Sequence, residues 1–201
     1  VFLGILFSLG SSSFISNIIA GYSMTYRRAF KNGDRIKVDD QVGFVEEQKL
    51  LVTRLRSLKN EEIIIPNSVL LNSNIINFSS RAKDKGLILH TTVGIGYETP
   101  WRQVDAMLRL AADRTEGVLK EPPPFVLKQS LGDFAVNYEI NVYCDDAGKM
   151  PLYYNALHQN ILDVFNENNV QIMTPAYEGD PEMPKVVPKD QWYAPLAGEE
   201  K

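Results

Sequence analysis

IIIPNSVLLNSNIINFS, residues Ile63 to Ser79, reads as an apolar run, a stop, a short helical segment and an asparagine-rich close. Ile63, Ile64 and Ile65 suit a strand, and Pro66 must end or edge it because proline has no N–H to donate to a ladder. Asn67 is then placed to cap a short helix through Val69, Leu70 and Leu71. Back toward Gly33, apolar residues alternate in DRIKV, GFVEE, LLVTRLRSL and EEIIIP, the period of half-buried strands. In Leu51 to Leu58, Arg54 and Arg56 fall on one face while Thr53, Leu55 and Ser57 fall on the other. Lys59, Asn60 and Glu61 make a polar turn before the isoleucines. Residues 32–84 are therefore expected to form a small β domain.

Upstream lies VFLGILFSLGSSSFISNIIAGYSMTYRRAFK, Val1 to Lys31, whose first twenty-six residues carry no charge. As a helix they extend roughly 39 Å, enough to cross the ~30 Å hydrocarbon core of a bilayer. Small residues recur every fourth position at Gly4, Ser8, Ser12, Ser16 and Ala20, beside a column of Ile5, Leu9, Ser13, Asn17 and Gly21. Such spacing lets helix backbones approach closely, and Ser or Asn at membrane depth must face protein or water. The expectation is a membrane helix with helical neighbours and a wet lumen. A signal peptide fits less well, because no basic leader precedes the run and no small-residue cleavage site closes it. A buried soluble helix seldom stays uncharged for so long. Arg27, Arg28 and Lys31 follow at once, and short basic flanks stay cytoplasmic. The same cations would also complement a helix C-terminus. The chain begins inside the apolar pattern without Met, so an N-terminal truncation is expected.

Downstream, residues 85–175 give strand, helix, strand, strand, helix, strand. Leu87 to Gly96 alternates, Thr99 is placed to cap a helix with Pro100 at its first turn, and Val104, Met107, Leu108 and Ala111 make an apolar face. Phe125 to Leu131 and Phe134 to Cys144 read as strands. Tyr153, Leu157, Ile161 and Phe165 mark a second helix, closed by Asn168 and Asn169 before a strand at VQIM. A βαββαβ order is ferredoxin-like. The tail, 176–201, holds Pro181, Pro184, Pro188 and Pro195 with six acids and three lysines, and reads as an extended segment. An alternating stretch occurs there only around Trp192 and Tyr193.

The formal charge of −4 argues against a nucleic-acid partner that needs a broad basic surface. Cys144 is the sole cysteine and His90 and His158 the only histidines, which leaves no familiar zinc spacing and no internal disulfide. GIGYET, Gly94 to Thr99, lacks the third glycine of a dinucleotide loop. The acidic pairs Asp39–Asp40 and Asp145–Asp146 fall at turns, where solvated carboxylates are commonplace. Ser11 to Ser13 has no histidine near it in sequence. No catalytic, metal or cofactor site is expected, and the chain reads as a non-enzyme.

Ile63 to Ser79 resembles the signature of the small-conductance mechanosensitive channels, the MscS-like family. That family's apolar run, Pro-Asn, short helix and Asn-Ile-x-Asn-x-Ser-like close is matched at Pro66, Asn67, Asn74, Asn77 and Ser79. SNIIAG, Ser16 to Gly21, resembles the family's pore-helix segment, and the spacing through RRAFKNGD to the first strand agrees. The resemblance runs to about Pro175. It implies a pore-lining helix over residues 1–31, an Sm-like β domain, a ferredoxin-like α/β domain and a homo-oligomer, a heptamer in the family. Ungapped alignment on Ser16 to Gly21 places the two constricting rings at Ile5 and Leu9. The family's bend glycine falls on Ser13, with Gly21 as another place for the bend. Arg28 and Phe30 match an Arg-Pro-Phe membrane exit, though Ala29 replaces its proline.

The implied activity is opening by membrane tension, with release of ions and small osmolytes during hypoosmotic shock. The implied location is the inner (plasma) membrane, multi-pass, with residues after about 31 cytoplasmic. The resemblance also implies a short closing strand in the tail. The alternative reading is a membrane-tethered regulatory module whose ferredoxin-like domain binds a ligand or partner.

Overall fold

A computed structural model describes residues 2–173, with side chains described from Ser11 onward. The expected tail, 176–201, with Trp192 and Tyr193, lies outside the described residues, and so do the side chains of Gly4, Ile5, Ser8 and Leu9. The chain divides into two compact units. The first runs to Leu87 and includes Asp146–Gly148, and the second holds the remainder.

The first unit opens with α1, Phe2–Arg27, a single uninterrupted helix. Among the described residues no helix is long and apolar enough to cross a membrane. Arg28 ends α1 by turning to a left-handed φ of 49°, a conformation non-glycine residues adopt at a cost of roughly 1–2 kcal/mol. Phe30, buried two residues later, shares a core with Met24, Ile36, Val38, Val45, Leu55, Ile65 and Leu70. Burying that ring draws the chain off the helix axis, so the stop does not need the proline missing at Ala29.

β1 (Arg35–Val38), β2 (Gln41–Gln48), β3 (Val52–Arg56), β4 (Glu62–Pro66) and β5 (Ile75–Asn77) form a sheet in the order β4-β3-β2-β1-β5. Its described pairs are antiparallel, and β2 bulges between Val45 and Glu47. The alternation in β3 holds. Thr53, Leu55 and Ser57 are buried, while Arg54 and Arg56 pair on the outer face with Glu62 at 2.8 Å and Glu46 at 2.9 Å. Exposed pairs of this kind add under about 1 kcal/mol each, so the inward apolar face holds the sheet. α2 (Asn67–Asn72) follows β4 directly, and α3 (Ala82–Lys85) closes the unit.

The second unit runs β6 (Leu87–Ile95), α4 (Trp101–Arg114), β7 (Phe125–Leu131), β8 (Val136–Cys144) and α5 (Met150–Glu167), with sheet order β6-β8-β7. α4 packs on α5, β7 and β8. Its apolar face, Val104, Met107, Leu108 and Ala111, is buried as the spacing predicts. Leu157, Ile161, Val164 and Phe165 of α5 are buried too.

Four expectations need correction. Asn67 is not a cap, since Pro66 holds that position and Asn67 is the first helical residue. Pro100, not Thr99, occupies the cap of α4, because its fixed φ of −58° leads into the helix. β8 starts at Val136, because a turn closed by Gly132 N–H donating to the Ala135 carbonyl at 2.8 Å takes up Phe134. The strand expected at VQIM is, among the described residues, one bridge from Ile172 to Ile95.

Candidate functional site: the seat of α1 on the β sheet

Asn17, Ala20, Gly21 and Met24 follow one another at helical spacing, and this stripe of α1 turns inward. Ala20, Gly21 and Met24 are buried, and Asn17 is partly so. Asn17 Oδ1 accepts a hydrogen bond from the backbone N–H of Ser68 at 2.9 Å. A first-turn N–H of α2 has no partner inside its own helix, so a residue fifty-one positions away does the work of a cap. One turn along α1, Gly21 meets the loop between β2 and β3. A Cβ there would collide with the Leu50 carbonyl and lie 2.7 Å from Asn67 Nδ2. Only a glycine permits that approach.

Asn67 stands behind this contact, 1% exposed. Its Nδ2 donates to the carbonyls of Lys49 and Leu50, each at 2.9 Å, and its Oδ1 accepts from Thr53 Oγ1 at 2.9 Å. One amide thereby ties α2, the β2–β3 loop and β3 together beneath Gly21. A second amide does the same at the exit of α1. Asn77 Nδ2 donates to Asp34 Oδ2 at 2.8 Å and to the Ala29 carbonyl at 3.3 Å. Asn77 Oδ1 accepts from Ser79 N–H and Ser80 N–H, at 2.9 and 3.0 Å. Ser79 Oγ accepts from Arg35 N–H at 2.9 Å, and Asp34 Oδ2 also takes Lys31 N–H at 2.9 Å. Gly33, at φ +90°, makes the elbow these bonds enclose.

Of the residues singled out in the sequence, Pro66, Asn67, Asn77 and Ser79 therefore lie at the seat of α1 or its exit, while Asn74 is exposed between α2 and β5. Ser12, Ser13 and Ser16 are exposed, as are Arg27, Arg28 and Lys31. Both places considered for a bend have their carbonyls engaged from within the helix. Asn17 Nδ2 donates to Ser13 O and Thr25 Oγ1 to Gly21 O, each at 2.9 Å. Side-chain bonds back to the i−4 carbonyl loosen a helix locally. Sequence reasoning missed Asp34, Thr53 and the cap supplied by Asn17. The only local cue was an Asn inside an uncharged helix, and its partner is remote in sequence.

Among the described residues of α1, large apolar and aromatic side chains are exposed beside the serines. Phe14, Ile15, Ile19, Tyr22 and Tyr26 are exposed by half or more. Ser11, Ser12, Ile15, Ser16 and Ile19 line a groove closed by Leu71.

Residues 13–80 match the family described as "Mechanosensitive ion channel, beta-domain", and residues 89–172 match "Mechanosensitive ion channel MscS, C-terminal". The chain belongs to the MscS-like family of mechanosensitive channel proteins. Among curated relatives, the large-conductance mechanosensitive channel MscMJLR of Methanocaldococcus jannaschii is 29% identical over 175 residues, covering 84% of this chain and 45% of that protein. The small-conductance channel MscMJ of the same organism is 28% identical over 178 residues, covering 87% of this chain and 50% of that protein. The chain thus spans about half the length of these relatives. The fold is that of the closed-state crystal structure of Helicobacter pylori MscS, with a TM-score of 0.74 at 23% identity, over 90% of this chain and 71% of that one. Both Methanocaldococcus relatives are named as mechanosensitive channels, as is the miniconductance channel MscM of Escherichia coli, 25% identical over 88% of this chain and 16% of that protein.

Proposed function

We propose that this chain is the pore-lining helix and cytoplasmic part of an ion channel opened by membrane tension, which releases ions and small osmolytes during hypoosmotic shock. The observation that carries this reading is the exposure of Phe14, Ile15, Ile19, Tyr22 and Tyr26 on α1, beside a narrow stripe that seats on the β sheet. Large apolar side chains exposed along one helix call for lipid or neighbouring helices. In this reading residues 1–31 cross the inner membrane, with further spans preceding them, and Arg27, Arg28 and Lys31 mark its cytoplasmic side. Residues 32–84 join identical subunits, a heptamer, around the pore axis. Residues 85–175 enclose a vestibule, and residues 176–201 follow as a tail.

Ile5 and Leu9, one turn apart on α1, form two apolar rings. A narrow apolar ring sheds its water and presents an ion with a desolvation barrier, so it closes the pore without plugging it. Tension acts on the difference in membrane area between two states and favours the wider one. Asn17 and Gly21 seat α1 on Ser68, Leu50 and Asn67, so tilting of the helix carries the sheet with it.

Patch-clamp recording of the full-length protein in liposomes under graded suction tests this reading. Pressure-activated current is expected, with Leu9→Ser opening at clearly lower tension because a hydroxyl ring holds water. Tension-gated current that the substitution leaves unchanged moves the constriction away from Leu9. Absence of current at any tension in well-reconstituted protein sinks the pore, and the membrane-tethered regulatory module takes its place.

A further inference from the structure

The second unit contains a cavity of about 580 Å³ between the β6–α4 loop, the start of α4 and the β7–β8 hairpin. Its walls are Tyr97, Pro100, Trp101, Leu131, Val136 and Tyr138, with Thr99 as a small polar member. The volume lies within the roughly 300–1,000 Å³ of small-molecule sites, and apolar walls with few polar groups are their usual lining. Lys128 supplies the charge. Its Nζ lies 4.6 Å from the Trp101 ring centroid and 6.0 Å from that of Tyr138.

A cationic ligand is a poor fit, because the aromatic faces that would attract it already carry cations. Besides Lys128, the Arg102 guanidinium stands 4.4 Å over Trp101. An anion fits better. Lys128 Nζ shares Asp105 with Arg109, at 2.6 Å and 2.8 Å, so one carboxylate serves two cations. Partial burial pushes the Asp105 carboxyl up, yet the hydrogen bonds from Arg109 and Lys128 outweigh it and hold the group below its ordinary value. Burial first, then Asp105 and Tyr97, raise Tyr138, which keeps its hydroxyl protonated. Neither Glu98 nor Asp133 lines the cavity.

We propose that this cavity binds a small amphiphilic anion, whose flat apolar body lies against Pro100, Leu131, Val136 and Tyr138 and whose carboxylate or sulfonate meets Lys128. The site stands apart from the pore reading, since it belongs to the second unit alone.

Isothermal titration calorimetry of the full chain with naphthalene-2-sulfonate, against the uncharged 2-naphthalenemethanol, tests the proposal. Saturable binding of the sulfonate is expected. Lys128→Met should weaken it about tenfold and leave the alcohol within about twofold. Leu131→Ser, at a side chain 77% exposed and so harmless to the fold, should weaken both probes. Overturning results are no saturable binding of the sulfonate, or equal binding of both probes that ignores Lys128→Met. An apparent affinity that falls as protein concentration rises would assign the cavity to a second copy of the chain and overturn the proposal as well.

Discussion

Asn67 beneath α1 and Phe165 in α5 are each 1% exposed, but they hold their surroundings by different means. Asn67 makes three directed bonds, to two carbonyls and a hydroxyl. Phe165 has no polar atom in its side chain and stabilises by removing apolar surface from water, an effect without direction. A seat built on amides fixes position, because each bond fails within a few tenths of an ångström. A core built on rings and branched chains fixes stability and tolerates small shifts. The first unit combines the two, with an apolar centre under the sheet and amide clamps where α1 meets it.

The largest effect should come from the apolar side of the comparison. Phe165→Ala leaves a cavity in the second unit and should cost about 4 kcal/mol, read in urea denaturation with hydrogen exchange resolved by unit. Exchange should accelerate in α4, α5 and β8 while Asn67 and Ser68 keep their protection; equal acceleration at both places would erase the contrast. Asn67→Leu, with the same branching but bulkier methyl ends, should cost about 2 kcal/mol or more because the Thr53 hydroxyl is left buried without its partner. Its exchange signature should be confined to α2 and the β2–β3 loop. A cost as small as that of an exposed pair would mean that water replaces the clamp, and that the Gly21 approach alone seats the helix.

The smallest effect concerns charge in the second unit. The Asp105 carboxyl is lower in the folded protein than in the unfolded chain, so its contribution is present above the unfolded carboxylate value near ~4 and fades as pH falls through the lower folded value. Asp105→Asn should therefore cost under about 1 kcal/mol at pH 7, a cost that shrinks on acidification as the carboxyl takes up its proton. A difference that grows on acidification would reverse the assigned sign.

Periodicity was enough to place most elements. The alternation in Leu51 to Leu58 predicts which side chains of β3 are buried, and the spacing of Val104, Met107, Leu108 and Ala111 predicts the buried face of α4. Both patterns are local, because a strand or helix repeats its own geometry every few residues. Boundaries slipped where the chain turned. Phe134 continues the alternation of β8 yet sits 71% exposed, since the hydrogen bond that closes the hairpin depends on Gly132 and not on hydropathy. The seat of α1 was the least legible part. Asn67 beside Pro66 has every local mark of a cap, and its real partners are Lys49, Leu50 and Thr53, between fourteen and eighteen residues away.

The sequence by itself determined the uncharged first helix with its basic edge, the alternating β stretch, the α/β order that follows, and the run from Ile63 to Ser79 that marks the family. Each is a matter of composition and period along a continuous segment. Only the tertiary structure decided that Asn17 caps a helix fifty-one residues away, that Gly21 is small because a carbonyl and an amide press on it, and that Asn77 closes the elbow at Gly33. Hydrogen bonds between distant segments leave no period in the chain. Their partners become neighbours only after the apolar faces have met.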